Sequence, residues 1–417
     1  MKSAAAGVTA ATIEPPSVLK VEEGGVFKAC LAFDSLVSGH ACGGIRLVPQ
    51  LDEEEARTLA HAMTLKYGFL GLPQGGAKAL VLADPEGSNA ERLEKVIAFG
   101  KSIRTLLKKR VFIPATDIGL SLDHLKAMFQ SLGIPLAPMD FRVKRSGYYA
   151  ALTVFTGAKQ ILKHLGLGME KCRVSIDGFG SVGSALAGLF DGLGAVVVAI
   201  STSRGALYNS KGLDVKKLLE LSREAGSRVV EIYEEAEHLD KASLFELPAD
   251  VLCPCAGYNS VHGGNAHRIT ARAVCAGANQ PVTPEADSAL FERGIVYPPY
   301  FMTNCGGVLG GTMEFASMSE ARIHAFLDEY IGRSIALVLD LAKERNIPPA
   351  RIAEPSVLRR FEEVRRASEC PRFGGWLLQA GLGLYRKGLI PGALVGALSP
   401  LYFKNSLSFF AEKRSWQ

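Results

Sequence analysis

The chain has no long run of like charge, no apolar stretch fit to span a bilayer and no internal repeat across its 417 residues. Each absence removes a class of function. The formal net charge is only +5 and no block of lysines or arginines stands out, so no nucleic-acid partner is expected. The densest basic group, Arg104 with Lys108, Lys109 and Arg110, lacks interleaved stacking aromatics and reads as a solvated helix end. Eight cysteines are scattered, several of them inside apolar runs such as those around Cys253 and Cys275. That is the usage of a reducing compartment, and a cytoplasmic location is expected. Cys253 and Cys255 are spaced for opposite faces of a strand, and no second pair completes a zinc site, so no metal is expected. Residues 1–16 carry no continuous apolar segment and read as a loose arm rather than a signal peptide. The uncharged runs 373–385 and 388–403 are rich in Gly and Leu, but Pro391 and Pro400 interrupt the second. They read as a packing tail or an oligomer contact, with an interfacial membrane segment as the alternative and a spanning helix the least favoured.

What is present is an ordinary soluble composition, 48% hydrophobic and 21% charged, on a chain long enough for two cores. Short apolar runs alternate with helical periodicity, which is the pattern of an α/β protein. Residues 26–33 read as a strand. Residues 52–67 read as a helix whose Asp52 and Glu55 resemble a capping box. Strands follow at 79–83 and 111–113, with a helix at 90–107 between them. The character changes near Arg145-Ser146-Gly147. A helix at 150–165, a strand at 173–177, a glycine turn, a helix at 184–193 and a strand at 195–200 then spell a right-handed βαβ unit. Short apolar strands are expected at 251–253, 273–275 and 295–297, and helices at 319–345 and 355–367. The expected fold class is α/β with two domains around a cleft. Residues 1–145 form a substrate domain, 146–309 a Rossmann dinucleotide-binding domain, 310–370 helices returning to the substrate domain, and 371–417 a tail.

The turn Gly178-Phe179-Gly180-Ser181-Val182-Gly183 follows one expected strand and opens a helix, the context that gives this motif physical content. Gly178 permits the tight turn, Gly180 lets a pyrophosphate approach the backbone, and Gly183 lets helix and strand pack closely. Ser181 and Val182 lie where the helix start offers free N–H groups and its dipole to the phosphates. About twenty residues on, the ribose-binding acid of this motif is missing from Ile200-Ser201-Thr202-Ser203-Arg204. Thr202 can donate or accept there, and Arg204 can pair a 2′-phosphate, so the cofactor is NAD or NADP. Lys66 and Lys78 lie on either side of a Gly-rich connection and would depress each other's pKa if brought together. A lysine poised nearer neutrality can exchange protons with water and an amine. Asp117 follows the strand at 111–113, where open α/β structures place functional loops. Read alone, Lys66 would be a helix-surface lysine and Lys78 a loop cation.

The ordered set of motifs resembles the glutamate/leucine/phenylalanine/valine dehydrogenase family from about Val18 to about Arg366. It runs through Gly43-Gly44-Ile45-Arg46, Met63-Thr64-Leu65-Lys66, Gly75-Gly76-Ala77-Lys78 and Pro114-Ala115-Thr116-Asp117-Ile118-Gly119. It continues with the glycine turn, Tyr208-Asn209-Ser210-Lys211-Gly212-Leu213-Asp214, Gly277-Ala278-Asn279, Thr283-Pro284-Glu285-Ala286-Asp287 and Asn304-Cys305-Gly306-Gly307-Val308. The resemblance implies that Lys66 pairs a substrate α-carboxylate, Lys78 activates water and Asp117 shuttles a proton. It implies that Asn279 lies near the nicotinamide ribose and Asn304 near the substrate and cofactor amides. The implied activity is NAD(P)-dependent oxidative deamination of an amino acid by a homo-oligomer.

The departures bear on the substrate. Cys42 stands where the glutamate-using members carry a lysine for the distal carboxylate, and Gly310-Gly311 stand where they carry a serine. A distal carboxylate would find neither cation nor hydroxyl, and burying it unpaired costs several kcal/mol. The expectation is therefore an apolar or bulky side chain in a pocket lined by Cys42 and Gly311, with volume left by the glycines. Ala79-Leu80 replace the Gly-Gly that usually follows the catalytic lysine. Residues 149–153 lack the threonine signature that holds the nicotinamide amide. Three rival readings stand beside this one: a glutamate dehydrogenase with Arg46 as the distal cation, a non-catalytic cofactor-binding scaffold, and an unrelated 2-hydroxy-acid dehydrogenase. The intact Lys66, Lys78 and Asp117 speak against the second. The absence of a histidine in an acid–base setting speaks against the third.

Overall fold

The computed structural model describes residues 13–23, 26–140, 143, 145–371 and 373–416, so the arm expected over residues 1–16 lies almost wholly outside the described residues. Two compact units make up the chain. The first comprises Met1–Lys144 with Val357–Ala397, and the second Arg145–Ser356 with Leu398–Gln417.

In the first unit, strands β1 (Ser17–Glu23), β2 (Val26–Phe33), β3 (Ala41–Val48), β4 (Gly75–Leu82) and β5 (Phe112–Thr116) form one sheet in the order β1-β2-β4-β3-β5. Strands β4, β3 and β5 run parallel, and β1 and β2 are antiparallel additions at one edge. Side chains alternate across a strand. Ile45, Leu47, Ala77, Ala79 and Val81 therefore face one way, into a core with Phe99, Leu106, Leu125 and Met128. Arg46, Lys78 and Leu80 face the other way, toward the helix Glu53–Leu70. That helix starts where the Asp52 carboxylate accepts the Glu54 N–H at 2.9 Å, a cap that contributes about 1 kcal/mol. Glu55 does not complete the expected capping box, because its carboxylate is drawn to Arg46 instead. The helix stops at Gly71, whose φ of 62° is the left-handed cap that glycine tolerates. Gly76 brings it close to β4, since a Cβ there would run into Thr64 and the Ala60 carbonyl.

In the second unit, β6 (Arg173–Asp177), β7 (Val196–Thr202), β8 (Gly205–Tyr208), β9 (Glu237–Leu239), β10 (Val251–Pro254) and β11 (Ala273–Val274) form a sheet in the order β11-β10-β6-β7-β8-β9. Strand β6 lies between β10 and β7, parallel to both, so the chain order reverses at its carboxyl end. That reversal is where doubly wound sheets bind dinucleotides.

The return to the first unit begins later than residue 310. Helices Gly306–Phe315 and Gly332–Arg345 pack on Ser146–His164 and belong to the second unit. Gly306 and Gly310 permit this, because a Cβ at either would strike Tyr149. Only from Val357, partway along the helix Pro349–Glu369, does the chain rejoin the first unit, with Val357 and Phe361 against Gly68. The helix Phe373–Arg386 is fastened there by the Arg386 guanidinium, which forks onto Asp140 at 2.6 and 2.7 Å. The chain end packs into the second unit. Trp416 is buried, its ring 4.3 Å from that of Phe410, and its Nε1–H donates to the Phe410 carbonyl at 2.9 Å. The tail is thus a packed element, although Leu382, Leu384, Leu389, Leu394, Leu398 and Leu401 stay exposed. Among the described residues no helix is long and apolar enough to cross a membrane. All eight cysteines are free, and Cys370 alone is exposed.

Replacing Trp416 by Ala removes a buried aromatic from the last residues of the chain. It is expected to cost about 3–5 kcal/mol, read as a fall in the denaturant midpoint. A midpoint equal to that of the parent would mean that the end of the chain adds nothing to the second unit.

Candidate active site

Three backbone features bring the candidate catalytic groups of the first unit together. Lys78 lies on β4, opposite Ala32 of β2, and is 1% exposed. Expected strand 79–83 begins four residues earlier, at Gly75, and this places Lys78 inside the sheet rather than in a loop. Asp117 follows the last residue of β5, at the carboxyl end of the parallel strands. The double glycine of β3 makes room between them: a Cβ at Gly43 would fall on the Ala77 carbonyl, and one at Gly44 would lie 2.9 Å from Cβ and Oδ2 of Asp117. Lys78 Nζ donates to Asp117 Oδ2. Asp117 Oδ1 accepts the Ile118 N–H at 2.7 Å and Arg46 Nε–H at 3.1 Å. Arg46 Nη1 donates in turn to Glu55 Oε1 at 2.9 Å. Lys66, on the helix Glu53–Leu70, is 5% exposed and is therefore not a surface lysine.

These contacts fix the charges. Burial disfavours the charged ammonium and lowers the Lys78 pKa, against the pull of Asp117, and the neighbouring cation that adds to the fall is Arg46. The expected partner in that effect was Lys66. Burial alone would raise the Asp117 carboxyl, but Arg46 and then Lys78 outweigh it and hold the group well below the usual carboxylate range. Burial raises the Cys42 thiol, so Cys42 presents a neutral, weakly polar surface. The Tyr67 hydroxyl donates to its backbone carbonyl at 3.4 Å.

In the second unit the glycine turn has the shape the sequence predicts. Gly178 has φ +97° and Ala256 sits 2.7 Å from where its Cβ would be. Around Gly180 there is open space, as close approach by a ligand requires. A Cβ at Gly183 would overlap the Gly178 carbonyl and crowd Ile176. Helix Ser181–Asp191 begins at Gly180 with no side-chain cap, with Ser181 exposed and Val182 half-buried at its start. Beneath the turn Ser201 Oγ donates to Asp177 Oδ1 at 2.8 Å and accepts the Gly178 N–H at 2.9 Å. Asn304 is 3% exposed; its Nδ2 donates to the Ala278 carbonyl at 2.7 Å and to Asn279 Oδ1 at 3.1 Å. Its Oδ1 is buried with no partner in the protein, an acceptor of the kind a carboxamide N–H₂ satisfies. The residues present thus fit a dinucleotide.

Other expectations need correction. The Thr202 hydroxyl donates to the Ser227 carbonyl at 2.7 Å and accepts the Arg204 N–H at 3.1 Å, so it holds the turn after β7. Arg204 lies exposed on that turn. Gly310 leaves no free volume, because the Tyr149 side chain fills the place of its Cβ, while Gly311 is buried in the same helix. Thr153 is wholly buried and accepts the Gly306 N–H at 3.0 Å, which joins two helices. Arg46 is no free cation. Sequence reasoning missed the link from Glu55 through Arg46 to Asp117, and the Asp177–Ser201 support under the turn. A single charged residue two positions after a glycine pair, inside an apolar strand, was the available signal for Arg46.

Comparison with known proteins gives these features a context. Residues 145–370 match the Glutamate/Leucine/Phenylalanine/Valine dehydrogenase family, and residues 13–133 match its Glu/Leu/Phe/Val dehydrogenase, dimerisation domain. An NAD-specific glutamate dehydrogenase of Staphylococcus aureus is 32% identical over 360 residues, 81% of this chain and 84% of the relative. A glutamate dehydrogenase of Thermotoga maritima is 35% identical over 298 residues, 68% of this chain and 71% of the relative. The crystal structure of the hetero-hexameric glutamate dehydrogenase of Thermus thermophilus, in a Leu-bound form, superposes with a TM-score of 0.71 at 25% identity, covering 84% of this chain and 88% of that one.

The ion pair makes a prediction for stability. A carboxyl whose folded pKa is depressed contributes stability above its unfolded pKa of about 3.9, and this is lost as pH falls through the folded value. Asp117→Asn should cost about 3–5 kcal/mol at pH 7, because it leaves buried cations facing an amide. The gap from the parent should narrow in acid. Denaturant midpoints at pH 7 and at low pH test this, and equal midpoints at pH 7 would contradict it.

Proposed function

The chain belongs to the glutamate/leucine/phenylalanine/valine dehydrogenase family, and from that premise we propose that it catalyses the reversible oxidative deamination of an L-amino acid with an apolar side chain. It is an NAD(P)-dependent oxidoreductase. The observation that carries the reading is the buried contact of Lys78 Nζ with Asp117 Oδ2, a cation and an anion poised together on one sheet face.

In this reading Lys66 binds the α-carboxylate and orients the amine. When bound, the nicotinamide cofactor supplies the acceptor for the hydride that leaves the substrate's Cα. Asn304 Oδ1 accepts a hydrogen bond from an amide or amine at its buried position, and the turn from Gly178 to Gly183 holds the pyrophosphate, with Asn279 near the ribose. Lys78, in its neutral form, takes a proton from water as the water oxygen bonds to the iminium carbon. Asp117 carries protons to and from nitrogen until the C–N bond breaks, leaving a 2-oxo acid and ammonia. Arg204 stands as the residue to pair a 2′-phosphate, while the internal bonds of Thr202 make it a weaker candidate.

Substrate choice turns on the far end of the pocket. Cys42, the residue expected at that end, is neutral, and Arg46 is spent on Glu55 and Asp117. A distal carboxylate left unpaired would cost several kcal/mol, a penalty of a hundredfold or more in affinity by rough reckoning. This supports an apolar side chain, although Gly310 no longer argues for a bulky one. The second reading, glutamate, is favoured by the glutamate dehydrogenases among the relatives. A cytoplasmic homo-oligomer goes with either reading, supported by the match to a dimerisation domain.

A panel of L-amino acids assayed with NAD and with NADP should show turnover of apolar substrates above glutamate; preference for glutamate would select the second reading. Lys78→Ala should lower kcat by about a thousandfold, and turnover that survives it would remove Lys78 from the chemistry. Because the Lys78 pKa is lowered, its neutral form grows as pH rises through a value below the ordinary lysine range. The kcat/KM for deamination should therefore climb with pH and level off below about 10.4. A rate still climbing beyond that point would count against it.

A further inference from the structure

We propose that Arg46, held in place by Glu55, is a positioning residue that saturates Oδ1 of Asp117 and leaves Oδ2 as the oxygen through which this carboxylate exchanges protons. The inference rests on the reading of Asp117 as a proton carrier.

The two oxygens of Asp117 have different surroundings. Oδ1 is occupied by the Ile118 N–H at 2.7 Å and by Arg46 Nε–H at 3.1 Å. A proton placed on Oδ1 would have to displace a charge-assisted bond. Oδ2 faces Lys78 Nζ and the space left by the missing side chain of Gly44. Arg46 cannot readily turn away. It is 6% exposed, it sits on β3 between Ile45 and Leu47 of the core, and its Nη1 is bonded to Glu55 Oε1 at 2.9 Å. The guanidinium is a rigid fork, so one end anchored on the helix Glu53–Leu70 fixes the angle of the other end on Asp117.

The charged groups around Asp117 are Arg46 from β3 and Lys78 from β4, with Glu55 behind Arg46. Glu55 divides the attention of Arg46 between two carboxylates. That leaves Asp117 an anion whose affinity for a proton is reduced less than an undivided guanidinium would reduce it. Removing Arg46 should therefore raise the pKa of Asp117 and of its partner Lys78 alike and free the Asp117 rotamer, and neutralising Glu55 should act on the pair in the opposite direction. The two changes have opposite signs, which a merely structural role would not produce.

The experiment compares kcat and the pH profile of kcat/KM for the parent, Arg46→Met, Arg46→Lys and Glu55→Gln, each with its best amino acid substrate. Arg46→Met should move the acid limb, which the coupled Lys78–Asp117 pair sets, up by about one pH unit or more, and the freed Asp117 rotamer should lower kcat at least tenfold. Arg46→Lys keeps the charge without the fork, so its acid limb should lie near that of the parent while kcat stays low. Glu55→Gln should leave the limb at or below that of the parent. A folded Arg46→Met with an unmoved limb overturns the proposal; should that variant fail to fold, an upward shift in Glu55→Gln overturns it instead. If the parent turns over no amino acid, the catalytic reading falls, and acid unfolding of the ligand-free proteins decides the positioning claim separately. There the stability of Arg46→Met should fall less steeply than that of the parent below about pH 4, because the folded and unfolded Asp117 pKa values lie closer. Equal slopes would overturn it.

Discussion

One buried ion pair organises the first unit. Lys78 is almost wholly removed from water, and an isolated ammonium there would give up its proton or unfold its surroundings. Asp117 prevents that, and Arg46 and Glu55 bring the set to two cations and two anions. The sheet is shaped around the set. Gly43 and Gly44 strip side-chain bulk from β3, Gly76 draws the helix Glu53–Leu70 down, and Asp117 arrives from the end of a parallel strand. Gly44 is the glycine that meets the pair itself, since a Cβ there would press on Asp117.

The second unit solves a different problem with a similar economy of side chains. Its glycines divide the labour of one turn: Gly178 bends it, Gly180 leaves it open and Gly183 lets the helix seat on β6. A buried acid, Asp177, braces that turn through Ser201. Burial pushes its carboxyl pKa up, because the cation of Lys241, 3.8 Å away, only partly compensates. Such bracing from below leaves the outward face of the turn uncommitted, as a site that must admit and release a cofactor requires.

Much of this was legible in the residues. Alternating strand and helix periods gave the α/β class, and ordered motifs gave the family, because each motif is short and chemically constrained. The misreadings share a cause: a side chain's partner lies on another element. Glu55 looked like a helix cap because its sequence neighbour Asp52 was the visible alternative to a strand residue nine positions back. Gly310 looked like spare volume because Tyr149, which fills it, sits on a distant helix. Thr202 looked free as a donor because the Ser227 carbonyl that takes its hydroxyl proton comes from a later loop, although its oxygen keeps one lone pair. The late return at Val357 escaped notice because helices packed on the second unit have the same periodicity as helices packed on the first.

The thiols carry a practical consequence. Burial pushes Cys30 and Cys172 up to about 12, and it raises Cys255, Cys275, Cys42 and Cys253 as well. Such groups react slowly with electrophiles. Cys370 stands in the open just beyond the helix Pro349–Glu369. The unaltered polypeptide therefore comes with one address for a fluorophore or spin label, on the segment that rejoins the first unit, and observing that segment during turnover requires no engineered cysteine.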